Sequence, residues 1–166
     1  RADYFSPYII MLILGIESSC DETAGAVCKN GKIIRNVVLS QEIHHKFGGV
    51  VPEIASREHD SKINSIILKA LEKANITFPD INAIAVTYGA GLMGALLVGL
   101  NYAKGLSIAL NIPFVGVNHL EGHLYASFIA YQKMEYPYLC LLVTGGHTQI
   151  WEVQFPGNYV LHSTTV

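Results

Sequence analysis

Apolar residues come in short runs along this chain, and the spacing within each run assigns its element. Met11–Glu17 is a compact apolar run that reads as a strand. Ser18–Glu22 is a polar turn, and Thr23–Cys28 returns as a second strand. Asn30-Gly31 is a hairpin signal, because both residues tolerate the positive φ of a tight two-residue turn. Lys32–Leu39 follows as a third strand, so the chain opens on a three-strand meander.

The period then changes. Ser40–Ala55 is a loop carrying Gly48, Gly49 and Pro52. Ser56 is the expected N-cap of a helix whose apolar positions Ile63, Ile66, Ile67, Ala70, Leu71 and Ala74 recur at helical spacing, ending near Asn75. Ile81–Thr87 reads as a buried strand, Tyr88–Gly91 as a turn, Leu92–Leu110 as an apolar helix and Ile112–Val117 as a further strand. Asn118 is placed to cap a helix from His119 to about Lys133. Three strands followed by helix, strand, helix, strand and helix describe one mixed α/β sheet with right-handed crossovers. That order resembles the ribonuclease-H-like subdomain of the actin, sugar-kinase and Hsp70 (ASKHA) fold.

The opening grammar then recurs. Leu139–Thr144 reads as a strand, Gly145-Gly146-His147 as a turn and Thr148–Val153 as a returning strand, with a third suggested at Tyr159–Ser163. Two readings stay open: an internal duplication like that of actin-like enzymes, or two unrelated hairpins. On the first, residues 11–135 form a ribonuclease-H-like subdomain and 136–166 begin a second, which needs roughly another hundred residues to close its sheet. The expectation is the N-terminal half of a longer enzyme, whose truncation leaves apolar surface open to self-association. Residues 1–10 share no pattern with the rest and read as an extension or an expression remnant.

Composition narrows the class. Of 166 residues, 51% are hydrophobic and 14% charged, which excludes a disordered tail. Net charge is −2, so an RNA substrate must rely on a local patch or a partner. Cys20, Cys28 and Cys140 form no C-x-x-C pair, which argues against a disulfide scaffold and fits a reducing cytoplasm. The runs Ile9–Ile16 and Leu92–Leu100 fall short of the ~20 residues of a membrane span, and no signal-peptide pattern precedes them, so no membrane is expected.

Candidate chemistry centres on His119-Leu120-Glu121-Gly122-His123. On a helix, histidines four apart share one face and can reach one metal ion; the plain alternative is two surface histidines. Leu120 occupies the position where the zinc peptidase motif has its glutamate, and Glu121 falls roughly on the opposite side of the helix, so peptidase chemistry is disfavoured. A catalytic metal normally has three protein ligands, and no spacing nominates His44, His45, His59 or His147 as the third. Thr144-Gly145-Gly146-His147-Thr148 is an anion nest or an ordinary hairpin turn. In Glu17-Ser18-Ser19-Cys20-Asp21-Glu22-Thr23, hydroxyls and amides suit phosphate while Asp21 and Glu22 suit a metal-bound or hydroxylated ligand; a solvated acidic turn is the alternative. Cys20 reads as a packed residue rather than a nucleophile, since no histidine is near it in sequence. Gly89-Ala90-Gly91-Leu92 is either an anion site at a helix start or a device for tight strand–helix packing. In Gly48–His59, Arg57 falls in the expected first helical turn, against the helix dipole, which suggests a role beyond helix stability.

Together, I-E-S-S-C-D-E-T, F-G-G-V-V-P-E-I-A-S-R-E-H, G-x-G-L-x-G-A-L-L-V-G, N-H-L-E-G-H and L-L-V-T-G-G-H-T resemble the tRNA threonylcarbamoyladenosine transferase (TsaD) family in order over nearly the whole chain. The match covers about half of a family member. The resemblance implies that His119 and His123 ligate one divalent metal, iron or zinc, with an aspartate beyond residue 166 as third ligand. It implies that Leu142, Val143, Thr144, Gly145 and Gly146 bind substrate. Ser19, Asp21, Glu22 and Glu121 are candidate catalytic or substrate-positioning residues. Ala90 stands where the family usually has proline. The implied reaction moves a threonylcarbamoyl group from threonylcarbamoyl-adenylate to the exocyclic amine of the adenosine beside the anticodon, with no residue here identified as the general base. Implied ligands and partners are adenylate or ATP, tRNA, the non-catalytic paralogue TsaB and the ATPase TsaE. The competing readings are an ATP-dependent kinase or ATPase of the same fold, which has no use for paired histidines, a metallopeptidase, and a binding module without turnover.

Overall fold

The computed structural model describes residues 10–131, 134–144 and 148–165. It divides into two compact units, residues 1–119 and 120–166. The division falls at the first residue of the helix that the apolar pattern assigns to the first subdomain.

In the first unit, β1 (Leu12–Glu17), β2 (Glu22–Lys29) and β3 (Lys32–Ser40) form the expected antiparallel meander. Asn30 and Gly31 both take positive φ, 48° and 78°, which is what the tight turn between β2 and β3 demands. A 3-10 helix, Glu42–Phe47, occupies part of the stretch expected to be irregular. Helix α1 (Pro52–Ala74) starts ahead of the expected cap at Ser56, because Pro52 supplies a preset φ and needs no hydrogen-bond acceptor at the first helical position. Val51 is the residue before the helix, and Ser56 lies inside it, its hydroxyl donating to the Glu53 carbonyl at 2.9 Å. Arg57 therefore sits in the second turn, where it pairs with Glu53 at 2.7 Å, and the dipole conflict disappears. Asn75 ends α1 in the left-handed conformation.

Strand β4 (Ala83–Gly89), helix α2 (Met93–Leu110) and β5 (Phe114–Asn118) complete a five-stranded sheet in the order β3-β2-β1-β4-β5. β1, β4 and β5 are parallel, joined by helical crossovers as expected. α1 packs on β2 and β3, α2 on β4, and the helices on each other. The core between sheet and helices holds Leu14, Val27, Ile67, Ile84 and Val86, each 1% exposed or less. Each such side chain contributes about 1.5–3 kcal/mol by leaving water. By length and composition α2 is apolar enough to cross a membrane, which the shorter run to Leu100 did not suggest. Here its Ala95, Leu96, Gly99 and Ala103 are buried within the first unit.

The second unit contains most of α3 (His119–Ala130) and an antiparallel sheet β6-β7-β8, built from Tyr138–Val143, Thr148–Phe155 and Asn158–Thr165. Lys133, the expected end of α3, lies outside the described residues, as does the turn 145–147. Leu124 of α3 is buried, and its carbonyl accepts the Tyr138 hydroxyl at 3.0 Å. Both units therefore carry a three-stranded antiparallel meander.

Candidate functional site

Because β1, β4 and β5 run parallel, their carboxyl ends gather at one edge of the sheet, where open α/β sheets bind ligands. Glu17 ends β1. Its Oε1 accepts the Ser19 N–H at 2.5 Å, and its Oε2 accepts the hydroxyl of Thr87, from β4, at 2.5 Å. His119 follows β5 and brings Nδ1 to 3.4 Å from the same Oε2 and 3.1 Å from Ser19 Oγ. Burial alone pushes the Glu17 carboxyl up, but hydrogen bonds from His119, Ser19 and Thr87 outweigh it and hold it at about 2. The hydrogen bond to Glu17 in turn raises His119 above the ordinary imidazole value, against the opposing effect of burial. A carboxylate can only accept, so Nδ1 carries the proton toward Glu17.

The turn that bears Ser19 is clamped from three sides. Ser18 and Ser19 are 1% and 3% exposed. Ser18 Oγ donates to the Ala95 carbonyl at 2.9 Å, and Leu92 N–H donates to the Ser19 carbonyl at 2.8 Å. A Cβ on Gly91 would stand 2.5 Å from the Ser19 carbonyl oxygen, so the glycine of this turn serves close packing. From α1, His59, fully buried, reaches Thr23 Oγ1 with Nδ1 at 2.8 Å and the Cys20 carbonyl with Nε2 at 3.0 Å. The carbonyl can only accept, so Nε2 carries the proton and Nδ1 accepts from Thr23. Burial lowers the His59 pKa, which suits that neutral tautomer.

The other sequence candidates fall in different settings. Cys20 has a histidine beside it after all, but His59 bonds its carbonyl; burial and Asp21 push the thiol up, which makes it a poor nucleophile. Asp21 is half-buried, and its carbonyl accepts the Gln41 N–H at 2.9 Å. Glu22 is exposed and accepts the Ser40 hydroxyl of its cross-strand neighbour at 3.0 Å. Glu121 engages Tyr159, whose phenol is raised first by burial and then by that contact. His123 is exposed on α3, one turn after His119. Leu142 is buried at 8% exposure, Val143 ends β6 at 66%, and Thr144 follows it exposed. Gly145, Gly146 and His147 lie outside the described residues.

Sequence reasoning missed Glu17 as a hub, Thr87 as its partner and His59 as a brace. A glutamate closing a buried apolar strand was the available signal for Glu17; nothing local marked the other two.

The family profile described as TsaD, tRNA N6-adenosine threonylcarbamoyltransferase, matches residues 32–166. The chain belongs to the TsaD family. It is 61% identical over 149 residues to the tRNA N6-adenosine threonylcarbamoyltransferase of Clostridium kluyveri, covering 89% of this chain and 44% of that protein. It is 56% identical over 156 residues to the protein of that description from Clostridium perfringens, covering 93% and 46% respectively. The chain thus spans about half the length of the curated TsaD relatives it matches. Among solved structures it is similar to YeaZ from Pseudomonas aeruginosa, with TM-score 0.62 and 16% identity over 93% of this chain and 66% of that one. It is also similar to the Aquifex aeolicus PPX-GPPA enzyme, with TM-score 0.51 and 14% identity over 95% and 52%. These likenesses establish the ASKHA fold expected from the element order.

For the metal that the TsaD family implies, the test is the donor set. His119 has a carboxylate behind Nδ1, the arrangement that orients metal-bound imidazoles. Among the described residues no group of three His, Cys, Asp or Glu could hold an ion. Of the ligand set that the TsaD resemblance implies, His119 and His123 are among the described residues.

Proposed function

We propose that this chain supplies the metal-side half of a tRNA threonylcarbamoyltransferase. The N6 amine of the adenosine 3′ of the anticodon, in tRNAs reading codons that begin with A, attacks the carbamoyl carbon of threonylcarbamoyl-adenylate. The bond from that carbon to the phosphate oxygen breaks, AMP leaves and the amine gives up a proton. The observation that carries the reading is the Glu17–His119 pair, fixed at the carboxyl ends of the parallel strands by Ser19 and Thr87.

His119 and His123 would hold one divalent ion, iron or zinc, with a third ligand from outside residues 1–166; bound there, the ion supplies Lewis-acid polarisation of the donor. Glu17 orients the His119 ring and makes it more basic. Leu142–Gly146 would carry the adenylate donor, backbone amides at Gly145-Gly146 meeting charge on its oxygens. ATP is the related ligand of this region. Ser19 and Asp21 stand on the clamped turn and position the reacting groups; Glu22 and Glu121 act at most through their neighbours. On this reading residues 11–135 are a first subdomain and 136–166 open a second. Leu139, Leu141 and Val143, 64–70% exposed on one face of β6, suit a further layer of protein or self-association of this chain. TsaB and TsaE are the proposed partners. The free thiols of Cys20, Cys28 and Cys140 suit a reducing cytoplasm.

The test joins residues 1–166 to the C-terminal half of the Clostridium kluyveri relative and supplies tRNA, threonylcarbamoyl-adenylate and the partner proteins. Mass spectrometry of tRNA nucleosides is expected to find threonylcarbamoyladenosine with the chimera and none with residues 1–166 alone. A folded, metal-loaded chimera that forms none contradicts the proposal.

A further inference from the structure

The charges of the first unit are sorted in space. Six of the chain's 11 Lys and Arg residues fall along one edge of it. Lys29, Lys32 and Arg35 belong to the β2–β3 hairpin, and Lys62, Lys69 and Lys73 to α1. All six are exposed, and β3 is the edge strand of its sheet. Arg35 stands opposite the core residue Val27, which turns it to the helix side, and its Nε–H donates to the Lys73 carbonyl at 2.7 Å. That bond ties the hairpin to the last turn of α1. Lys29 is two residues on from Val27 and is the cross-strand partner of Lys32, so this pair shares the helix side. On α1, Ile66 and Ala70 pack with Val37 of β3. Lys62, Lys69 and Lys73 are three or four residues from them, on the flank toward β3. Asn64, which accepts the Tyr102 hydroxyl of α2 at 2.9 Å, marks the opposite flank.

Little neutralises this row. Among the described residues none of the six takes part in an ion pair, and the Arg35 guanidinium donates to main-chain oxygens, those of Lys73 and Ile34. The acids beside it on α1 are Glu58 and Glu72. Glu17, Asp21 and Glu22 lie at the other end of the strands: Leu12 pairs with Lys29, Glu17 with Ala24, and roughly 17 Å of strand separates the two pairs. Lysines on an edge strand also deter pairing with a further strand, but that function needs none of the three on α1. From Lys62 to Lys73 the row runs about 16 Å along the helix, enough to follow successive phosphates. We propose that this edge docks the phosphate backbone of RNA, away from the reacting base. The inference rests on the transferase reading, which makes the polyanion an RNA. With a net charge of −2 the chain has no global attraction for RNA, so orientation falls to a local row of cations.

The experiment is fluorescence anisotropy of the 166-residue protein with a labelled tRNA transcript and with an RNA duplex of unrelated sequence, each across a salt series. Lys69→Ala with Lys73→Ala is compared with Arg57→Ala with Lys104→Ala, which removes the same charge elsewhere in the first unit. All four positions are helical and exposed, and alanine suits a helix, so an unchanged urea midpoint is expected throughout. The Lys69/Lys73 variant should bind both RNAs about tenfold more weakly and lower the slope of log affinity on log salt by about two. The Arg57/Lys104 variant should match wild type. Equal losses in the two variants would show an effect of net charge alone and overturn the inference. So would a Lys69/Lys73 variant that binds like wild type, or one that loses one RNA and keeps the other. Failure of the wild type to bind RNA at low salt, with binding to phosphatidylserine–phosphatidylcholine vesicles that the Lys69/Lys73 variant loses, would reassign the edge to a lipid surface. Binding is read here without turnover, so none of these results bears on the transferase reading, which is judged by nucleoside formed in the chimera.

Discussion

His59 and His119 both bond the same turn, and they differ in how their ring nitrogens are used. His59 is fully buried, and both nitrogens are bonded to the turn, one to Thr23 and one to the Cys20 carbonyl. His44, 5% exposed, is committed in the same way to Gln41 and Val51. Both buried rings are braces with a fixed tautomer, and in His59 burial also disfavours the charged form. His119 has a side chain 30% exposed and an anionic partner behind Nδ1, which favours the charged ring. The contrast separates two histidines locked by neutral scaffold partners from one paired with a carboxylate and partly open to solvent, a distinction spacing along the chain could not make.

The largest expected effect comes from removing the brace. His59→Ala leaves a cavity and two polar groups without partners, at a cost of about 3 kcal/mol, read as a fall in the urea midpoint. His119→Ala should cost far less stability, since its ring is partly in water; equal losses would erase the contrast. Gly91→Ala forces a methyl against the Ser19 carbonyl and should cost about 1–3 kcal/mol, with transfer by the chimera falling further than stability alone explains. Acid should then act through His59. Its folded pKa lies below the ordinary 6.5, so the unfolded chain binds more protons between the two values. Its contribution is intact above about pH 6.5 and is lost as pH falls toward the folded value. Burial and the nearby His44 push this way, while the hydrogen bond to Cys20 and the charges of Glu17 and Asp21 oppose it. The urea midpoint should fall more steeply between about pH 7 and pH 5 in wild type than in His59→Gln, which cannot titrate. Arg57→Ala should be the quietest change. Its exposed pair with Glu53 is worth within about 0.5 kcal/mol. Any loss of transfer in that variant would restore the idea that Arg57 does more than support its helix.

Much of this was legible beforehand. Periodicity gave every strand and α-helix among the described residues to within a few residues, because each apolar run has one buried face and a clear turn after it, but it gave neither 3-10 helix, Glu42–Phe47 or Phe78–Asp80. The start of α1 was misread because Ser56 offers good capping chemistry, while Pro52 offers a preset backbone that takes precedence. The pair at His119 and His123 was legible as a pattern, but Glu17 was not, since its partners come from Ser19, Thr87 and His119, up to 102 residues away in the chain. Long-range hydrogen bonds leave no local trace. The glycines of Gly89–Leu92 allowed two readings, and the Ser19 carbonyl beside Gly91 decides for packing.

Metal content measured by elemental analysis of the chimera, with and without the paired substitutions His119→Ala and His123→Ala, bears most directly on the role given to His119. Near-stoichiometric iron or zinc in the unaltered protein and its loss in the double variant, with the urea midpoint of the first unit kept, is the expected result. Unchanged stoichiometry in a folded double variant would place the ion elsewhere and leave the Glu17–His119 pair as a structural contact.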